Sequence, residues 1–212
     1  MAVTIDATSN FSNGLNQTSL TFSHTCTGAS VIVIMFVRRA VSESIKAVSS
    51  VTYDGVSASL IKQETSGDNI AEIYALAAPS AGANDVVITL ASSQRVFTAS
   101  AVSLIGASAV ADITGGTSGS GIPSTAVTTT VGGSMVLDCF QSFANSNFTV
   151  GASQTQIYQD TLNSDRGASS YESTVSAGSV TMNWTDGASD NFSQAVAAFP
   201  PSAGGAFLID II

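Results

Sequence analysis

Apolar and polar residues alternate along most of this 212-residue chain with the two-residue period of β-strands. Residues 19–26, SLTFSHTC, show this pattern, whereas residues 30–39, SVIVIMFVRR, are apolar at consecutive positions. A continuous apolar run of this length suits a central strand that is covered on both faces. No window of eleven or more residues keeps a helical period free of glycine and β-branched runs, so the pattern predicts an all-β protein.

Residues 51–61, VTYDGVSASLI, contain the clearest turn signal. Asp54-Gly55 lies between alternating β-formers and accepts the positive φ angles of a type I′ hairpin turn. Stretch 114–125 is rich in glycine and serine and is predicted to be a loop. The other predicted strands are short and evenly spaced: 70–79, 85–93, 95–107, 126–131, 134–143, 153–159, 168–175, 179–185 and 191–199. Such a series predicts a jelly-roll-like β-sandwich of two antiparallel sheets.

The two halves of the chain resemble each other at an offset of roughly a hundred residues, as an internal duplication would. The halves run over about 18–107 and 126–199, and the comparison places Tyr74 opposite Tyr171 and Gly82 opposite Gly178. They could close over one core as a pseudo-symmetric sandwich or form two small sandwiches. Because no long linker separates them, we expect a single domain, 1–202, followed by an apolar C-terminal arm, 203–212.

Charged residues make up only 10% of the chain, against roughly a quarter in typical domains, and the net charge is −9. This balance argues against binding to nucleic acid or to an anionic membrane, both of which need a concentrated cationic surface. The longest apolar run, Val31–Val37, is far shorter than the roughly 20 residues of a transmembrane helix. The first ten residues also lack the features of a signal peptide.

The residue types needed for most site chemistry are scarce. His24 is the only histidine and shares a strand face with apolar residues, which indicates a core histidine with a backbone partner. Cys26 and Cys139 are far apart in the chain, and we expect two buried thiols rather than a disulfide.

Carboxylates offer the remaining route to catalysis, since paired carboxylates hydrolyse glycosides. The candidate pairs are Glu72 with Glu172 and Glu72 with Asp138. Solvent-facing positions on strands explain the presence of these carboxylates better than catalysis does. We therefore expect no enzyme, no catalytic residues and no bound cofactor.

Two further groups of residues are candidates for binding. The loop that carries Asp186, Asp190 and Asn191 offers oxygen ligands of the kind that calcium prefers, although a polar turn explains it better. Trp184, Tyr158 and Tyr171 could form a sugar-stacking platform, although core packing explains Trp184 better.

Several segments together resemble a known β-sandwich family: SLTFSHT, SVTYDGVSASLI, EIYALAAPSAG, VVITL and MNWTDGASDNFSQAVAAF. Domains of that family are frequent in predicted structural proteins of bacteriophages and in cell-surface proteins of bacteria. The resemblance implies a fold more than a role, and it brings no catalytic residues. Without an export signal, it implies a virion protein made in the host cytoplasm, such as a capsid decoration, head-fibre or tail accessory protein.

The end of the chain fits assembly with other subunits. Pro200-Pro201 ends the last strand, Gly204-Gly205 provides a hinge, and an apolar segment follows: Phe207, Leu208, Ile209, Ile211 and Ile212. This arm either folds back as an edge strand or adds to the sheet of a neighbour. The expected partners are capsid or tail proteins, copies of the chain, or both. The alternative function is a carbohydrate-binding module or adhesin.

Overall fold

The computed structural model describes residues 1–12, 16–39, 46–94, 96–143, 147–162, 165–185 and 190–203. These residues form strands and turns but no helix, so none of them makes a helix that could cross a membrane. The strands are β1 (Thr4–Phe11), β2 (Gln17–Cys26), β3 (Val31–Arg39), β4 (Val48–Tyr53), β5 (Val56–Ser57), β6 (Ser59–Ser66), β7 (Asn69–Ala77), β8 (Gly82–Gln94), β9 (Val96–Ile105), β10 (Ile113–Gly121), β11 (Ser124–Thr129), β12 (Met135–Ser142), β13 (Thr149–Val150), β14 (Thr155–Leu162), β15 (Asp165–Ser173), β16 (Gly178–Thr185) and β17 (Asp190–Phe199).

The strands form four antiparallel sheets. The N-terminal half contains a five-stranded sheet, β1-β9-β3-β7-β6, and an outer sheet, β2-β8-β4-β5. The C-terminal half contains a five-stranded sheet, β10-β17-β12-β15-β14, and an outer sheet, β11-β16-β13. The all-β sandwich prediction is confirmed, although there are four sheets instead of the expected two.

The four sheets stack as four layers, and the two five-stranded sheets form the middle of the stack. Val33, Met35 and Ile73 of the first central sheet pack against Leu137 and Ala197 of the second in one shared core. The opposite face of each central sheet packs on the outer sheet of its own half. Both central sheets are therefore covered on both faces, which explains why β3 and β12 are buried along almost their whole length.

The halves repeat the same strand order. If β10 to β13 take the places of β1 to β4, and β14 to β17 those of β6 to β9, then the two central sheets match strand for strand. The outer sheets match in the same way, except that β5 has no counterpart. The repeat therefore spans Thr4–Ile105 and Ile113–Phe199, which is wider than the sequence comparison suggested because it includes β1 and β10.

Equivalent side chains make equivalent bonds in the two halves. Asp6 accepts hydrogen bonds from the backbone N–H and the hydroxyl of Thr27. Asp112 accepts the same two bonds from Thr130. The hydrogen bonds from Thr130 lower the pKa of Asp112. Each pair ties the first strand of its half to the end of the second, so the duplication extends to side-chain detail.

The repeat also corrects one sequence equivalence. Tyr74 pairs with Ile34 in β3, and the residue in the same register of the second half is Ser170, which pairs with Asp138. Tyr74 and Tyr171 therefore do not correspond, and they face opposite sides of their sheets. Gly82 and Gly178 do correspond, because each pairs with the last residue of the second strand of its half and has a positive φ.

The prediction that residues 114–125 form a loop is wrong, because most of this stretch lies in β10 and the start of β11. Gly115 and Gly116 reflect close packing and not a turn, whereas Gly119 and Gly121 have positive φ and open space around them. A β-carbon at Gly115 would lie 2.7 Å from Val127 Cγ1, and one at Gly116 would collide with the side chains of Lys62 and Glu64. A strand in such close contact with its neighbours needs residues without side chains. The predicted hairpin turn is confirmed, since Asp54 and Gly55 both have positive φ.

The single histidine and both cysteines lie in the interior. Cys26 and Cys139 are free and buried, in different layers, which confirms the expected thiols. His24 is also buried, but its Nδ1 is bonded to the Ser9 hydroxyl at 2.8 Å and not to the backbone. Burial lowers the pKa of His24, against the opposing charge of Asp6.

The lowered pKa of His24 predicts a loss of stability in mild acid. The unfolded histidine takes up a proton near pH 6.5, whereas the folded one resists protonation, so acidification favours unfolding. We expect the free energy of unfolding to fall below about pH 6.5, by up to about 1.4 kcal/mol per pH unit. Urea unfolding followed by the fluorescence of Trp184 at pH 7.5, 6.5 and 5.5 measures this. An unchanged slope in His24→Gln would contradict the assignment.

Candidate functional site

The aromatic residues proposed as a sugar platform do not share a surface. Trp184 is 1% exposed and packs against Phe140 in the C-terminal outer core. Tyr158 is 5% exposed, and its hydroxyl lies 3.0 Å from Thr98 Oγ1 of the other half. Tyr171 packs partly buried against the shared core. A sugar needs an exposed ring face, so these three rings serve packing instead.

Asp138 lies in the interior instead of facing solvent. Its carboxylate accepts hydrogen bonds from Trp184 Nε1 at 2.8 Å, Gln194 Nε2 at 2.7 Å, and the backbone N–H and hydroxyl of Ser170. Burial raises the pKa of Asp138, and these hydrogen bonds oppose the rise. Because its oxygens are occupied and it has no exposed surface, Asp138 ties four strands together and is closed to a substrate.

Glu72 is also buried, and it pairs with Arg38. Arg38 Nε lies 2.9 Å from Glu72 Oε2, and the two side chains are 2% and 3% exposed. Arg38 also donates to the carbonyl of Lys46. Burial raises the pKa of Glu72, and the charge of Arg38 opposes the rise. Arg38 is therefore an interior ion-pair partner.

The third carboxylate candidate does not join the other two. Glu172 of β15 pairs with Val136, the second residue of β12. This position is near the start of β12, whereas Ser142 is its last residue. Burial raises its pKa as well. The described contacts connect none of the three carboxylates to another, so they do not form an acid–base pair.

The candidate calcium loop is described only in part. Asp186 and the side chain of Asp190 lie outside the described residues. Asn191 is exposed, and its Oδ1 accepts a hydrogen bond from Ser120 at 2.8 Å. Among the described residues, no three histidine, cysteine or acidic side chains are grouped to hold a metal ion.

The apolar residues of the C-terminal arm, Phe207, Leu208, Ile209, Ile211 and Ile212, lie outside the described residues as well. The chain before them is anchored. Pro201 pairs with Ala107, and the N–H of Ser202 donates to the carbonyl of Gly106 at 2.7 Å. The arm therefore starts where the two halves meet, beside the segment that connects them.

The edges of the central sheets differ in charge. β1, β6 and β14 each contain at least one charged residue, namely Asp6, Lys62 with Glu64, and Asp160. β10 is nine residues long, ITGGTSGSG, and contains none. Natural sheets protect exposed edges with charge, proline or short strands. None of these protections comes from residues of β10 itself, and the charged side chains that reach Gly116, Lys62 and Glu64, belong to β6. β10 is therefore the central-sheet edge best suited to pair with another chain.

A polar cleft opens between the halves, at the ends of β3 and β12. Its volume is about 230 Å³, and it is lined by Arg39, Ser66, Gly67, Asp68, Asn69, Phe143 and Asn191. We call it the seam cleft. The guanidinium of Arg39 stacks 3.8 Å from the centre of the Phe143 ring. Its Nη1 also pairs with Asp165 at 2.6 Å.

Equivalent positions of the repeat meet in the seam cleft. Val31 and Met135 are the first residues of the equivalent strands β3 and β12. Arg39 lies eight residues after Val31, and Phe143 lies eight residues after Met135, so the stacked pair occupies equivalent positions. Asn69 and Asp165, the first residues of β7 and β15, are equivalent too. The duplicated positions have diverged here into a cation, an aromatic ring, an amide and a carboxylate. No sequence motif indicated this cleft, because its parts come from distant segments.

Comparison of the chain with family models, with curated proteins and with solved structures found no match. Its function is therefore inferred from the geometry of these sites.

Proposed function

We propose that this chain is a non-enzymatic structural protein of a virus particle, of the capsid decoration, head-fibre or tail accessory type. It attaches through the β10 edge and the C-terminal arm to capsid or tail proteins or to copies of itself. The observation that carries the proposal is the unprotected β10 edge, a nine-residue strand without charge on the rim of a central sheet.

Three other features support a structural role. Each half has the strand arrangement of a jelly roll, an architecture used by capsid and lectin domains. The interior carboxylates Asp138 and Glu72 are engaged in bonds that hold strands together. Pro201 and Ser202 anchor the chain leading to the apolar arm to Ala107 and Gly106, in the segment that connects the halves, which gives the arm a defined starting point.

A charge-insertion experiment tests the β10 edge. Thr114 and Ser118 are exposed on β10, and Thr114→Lys/Ser118→Lys gives this edge the charge that the others already have. We expect the variant to fold normally and to lose at least about tenfold of its association with particles, measured as co-sedimentation from the lysate that contains them. Gln63→Lys/Thr65→Lys on the exposed face of β6 is the matched control, and it should co-sediment like the original chain.

The arm is tested in the same assay with a chain that lacks residues 203–212. Loss of co-sedimentation with an unchanged unfolding midpoint supports attachment through the arm. If the full chain does not co-sediment with particles, the result contradicts the proposed function. Co-sedimentation that survives both the β10 substitutions and the deletion contradicts the proposed attachment surfaces.

A further inference from the structure

The seam cleft contains buried polar atoms that lack partners. Asn69 is 2% exposed, and its Nδ2 donates to the carbonyl of Asn191 at 2.9 Å, but its Oδ1 has no partner among the described residues. The buried Nε of Arg39 also has none. An unsatisfied buried group destabilises the folded state, so native proteins rarely keep one without a reason. Here two such atoms, the acceptor Asn69 Oδ1 and the donor Arg39 Nε, belong to residues that line the same cleft.

The charges of the cleft argue against an anionic ligand. Arg39 provides its only cation among the described lining residues, and Asp165 already neutralises that charge. The carboxylate of Asp68 is exposed at the rim, so Arg39, its partner Asp165 and Asp68 together carry a net charge of −1. A phosphate, a sulfate or an acidic sugar would therefore be repelled.

The aromatic side of the cleft offers an apolar contact. Phe143 is 41% exposed although the guanidinium of Arg39 stacks on it. The backbone N–H of Phe143 donates to the carbonyl of Asn191 at 3.1 Å, which holds the main chain of Phe143 beside Asn191. A partly exposed ring next to an amide and a carboxylate suits a ligand with both C–H and O–H surfaces.

We propose that the seam cleft binds one neutral hexopyranose unit of a glycan. Hydroxyl groups of the sugar donate to Asn69 Oδ1 and to the carboxylate of Asp68, and Arg39 Nε donates to a sugar oxygen. The C–H face of the ring packs on Phe143. At about 230 Å³ the cleft is smaller than the usual 300–1,000 Å³ of sites for drug-sized ligands, which fits one sugar unit. This site goes beyond the proposed structural role and does not depend on it.

The probes for the test are the methyl glycosides of glucose, galactose, mannose and N-acetylglucosamine, with glucuronic acid as the anionic comparison. Binding to the full chain is measured by saturation-transfer NMR and by titration of labelled protein. We expect at least one neutral glycoside to bind and glucuronic acid to bind at least about tenfold more weakly. Failure of all four neutral probes, or tighter binding of the acid, would overturn the proposal.

Two variants locate the binding site. Asp68→Ala removes an exposed carboxylate, and Phe143→Ala removes the ring. Asp68→Ala should weaken binding by about tenfold or more, because it removes a hydrogen bond to a charged group. Phe143→Ala should weaken binding by about threefold to tenfold. Val175→Ala, at a 98% exposed position outside the cleft, is the control and should bind like the original chain. Equal binding by all three variants would place the sugar elsewhere and contradict the proposed site.

Discussion

Replacing Glu72 by leucine is expected to lower the free energy of unfolding by about 3–5 kcal/mol. Glu72 and Arg38 lie 2.9 Å apart in the interior with almost no exposed surface. Without the carboxylate, the charge of Arg38 stays buried with only neutral partners, the Lys46 carbonyl and Gln94 Oε1. Urea unfolding at pH 7.5 measures the loss.

Two controls separate the buried charge from lost packing. The double variant Arg38→Met/Glu72→Leu removes both charges, and we expect it to be far closer to the original chain than the single variant. Glu64→Leu breaks the more exposed Lys62–Glu64 pair and should cost less than about 1 kcal/mol. If Glu72→Leu is no worse than Glu64→Leu, the ion pair does not contribute as we propose.

Replacing Asp138 by leucine is expected to destabilise the C-terminal half by more than about 3 kcal/mol. The substitution keeps four side-chain heavy atoms branched at Cγ, but it leaves Trp184 Nε1, Gln194 Nε2 and the Ser170 groups without their acceptor. Each buried donor without a partner costs about 1–3 kcal/mol. Asp138→Asn keeps one acceptor oxygen, so its free energy of unfolding should lie between those of the original chain and Asp138→Leu.

The matched control for Asp138 is Ile34, which occupies the equivalent register position in β3. Ile34 packs in an apolar core, so Ile34→Val should cost only about 0.5–1.5 kcal/mol. Thermal unfolding, followed by Trp184 emission and by circular dichroism, compares the variants. A stable Asp138→Leu protein would show that the donors find other partners.

Local pattern predicted much of the fold. The continuous apolar run of residues 30–39 indicated a strand covered on both faces, and β3 lies between two layers. Asp54-Gly55 predicted a hairpin turn, which the positive φ angles of both residues confirm. These predictions succeed because backbone conformation and face alternation depend on residues close together in the chain.

The predictions that were wrong concern contacts between distant segments. β10 reads as a loop because glycines usually mark turns, but here Gly115 allows close approach to Val127 and Gly116 to the side chains of β6. Asp138 reads as a solvent-facing residue, because the donors that satisfy it come from Ser170, Trp184 and Gln194. The seam cleft joins Arg39 to Phe143, which are far apart in the sequence.

The sequence by itself determined that this chain is a β-protein with two similar halves, because strand period and turn residues are properties of neighbouring residues and the repeat is found by comparing one half of the sequence with the other. Only the tertiary structure decided that the halves stack through their central sheets, which charges lie inside and where a cleft opens. Those features depend on which surfaces meet, and burial and hydrogen bonding between distant strands select them after the strands have formed.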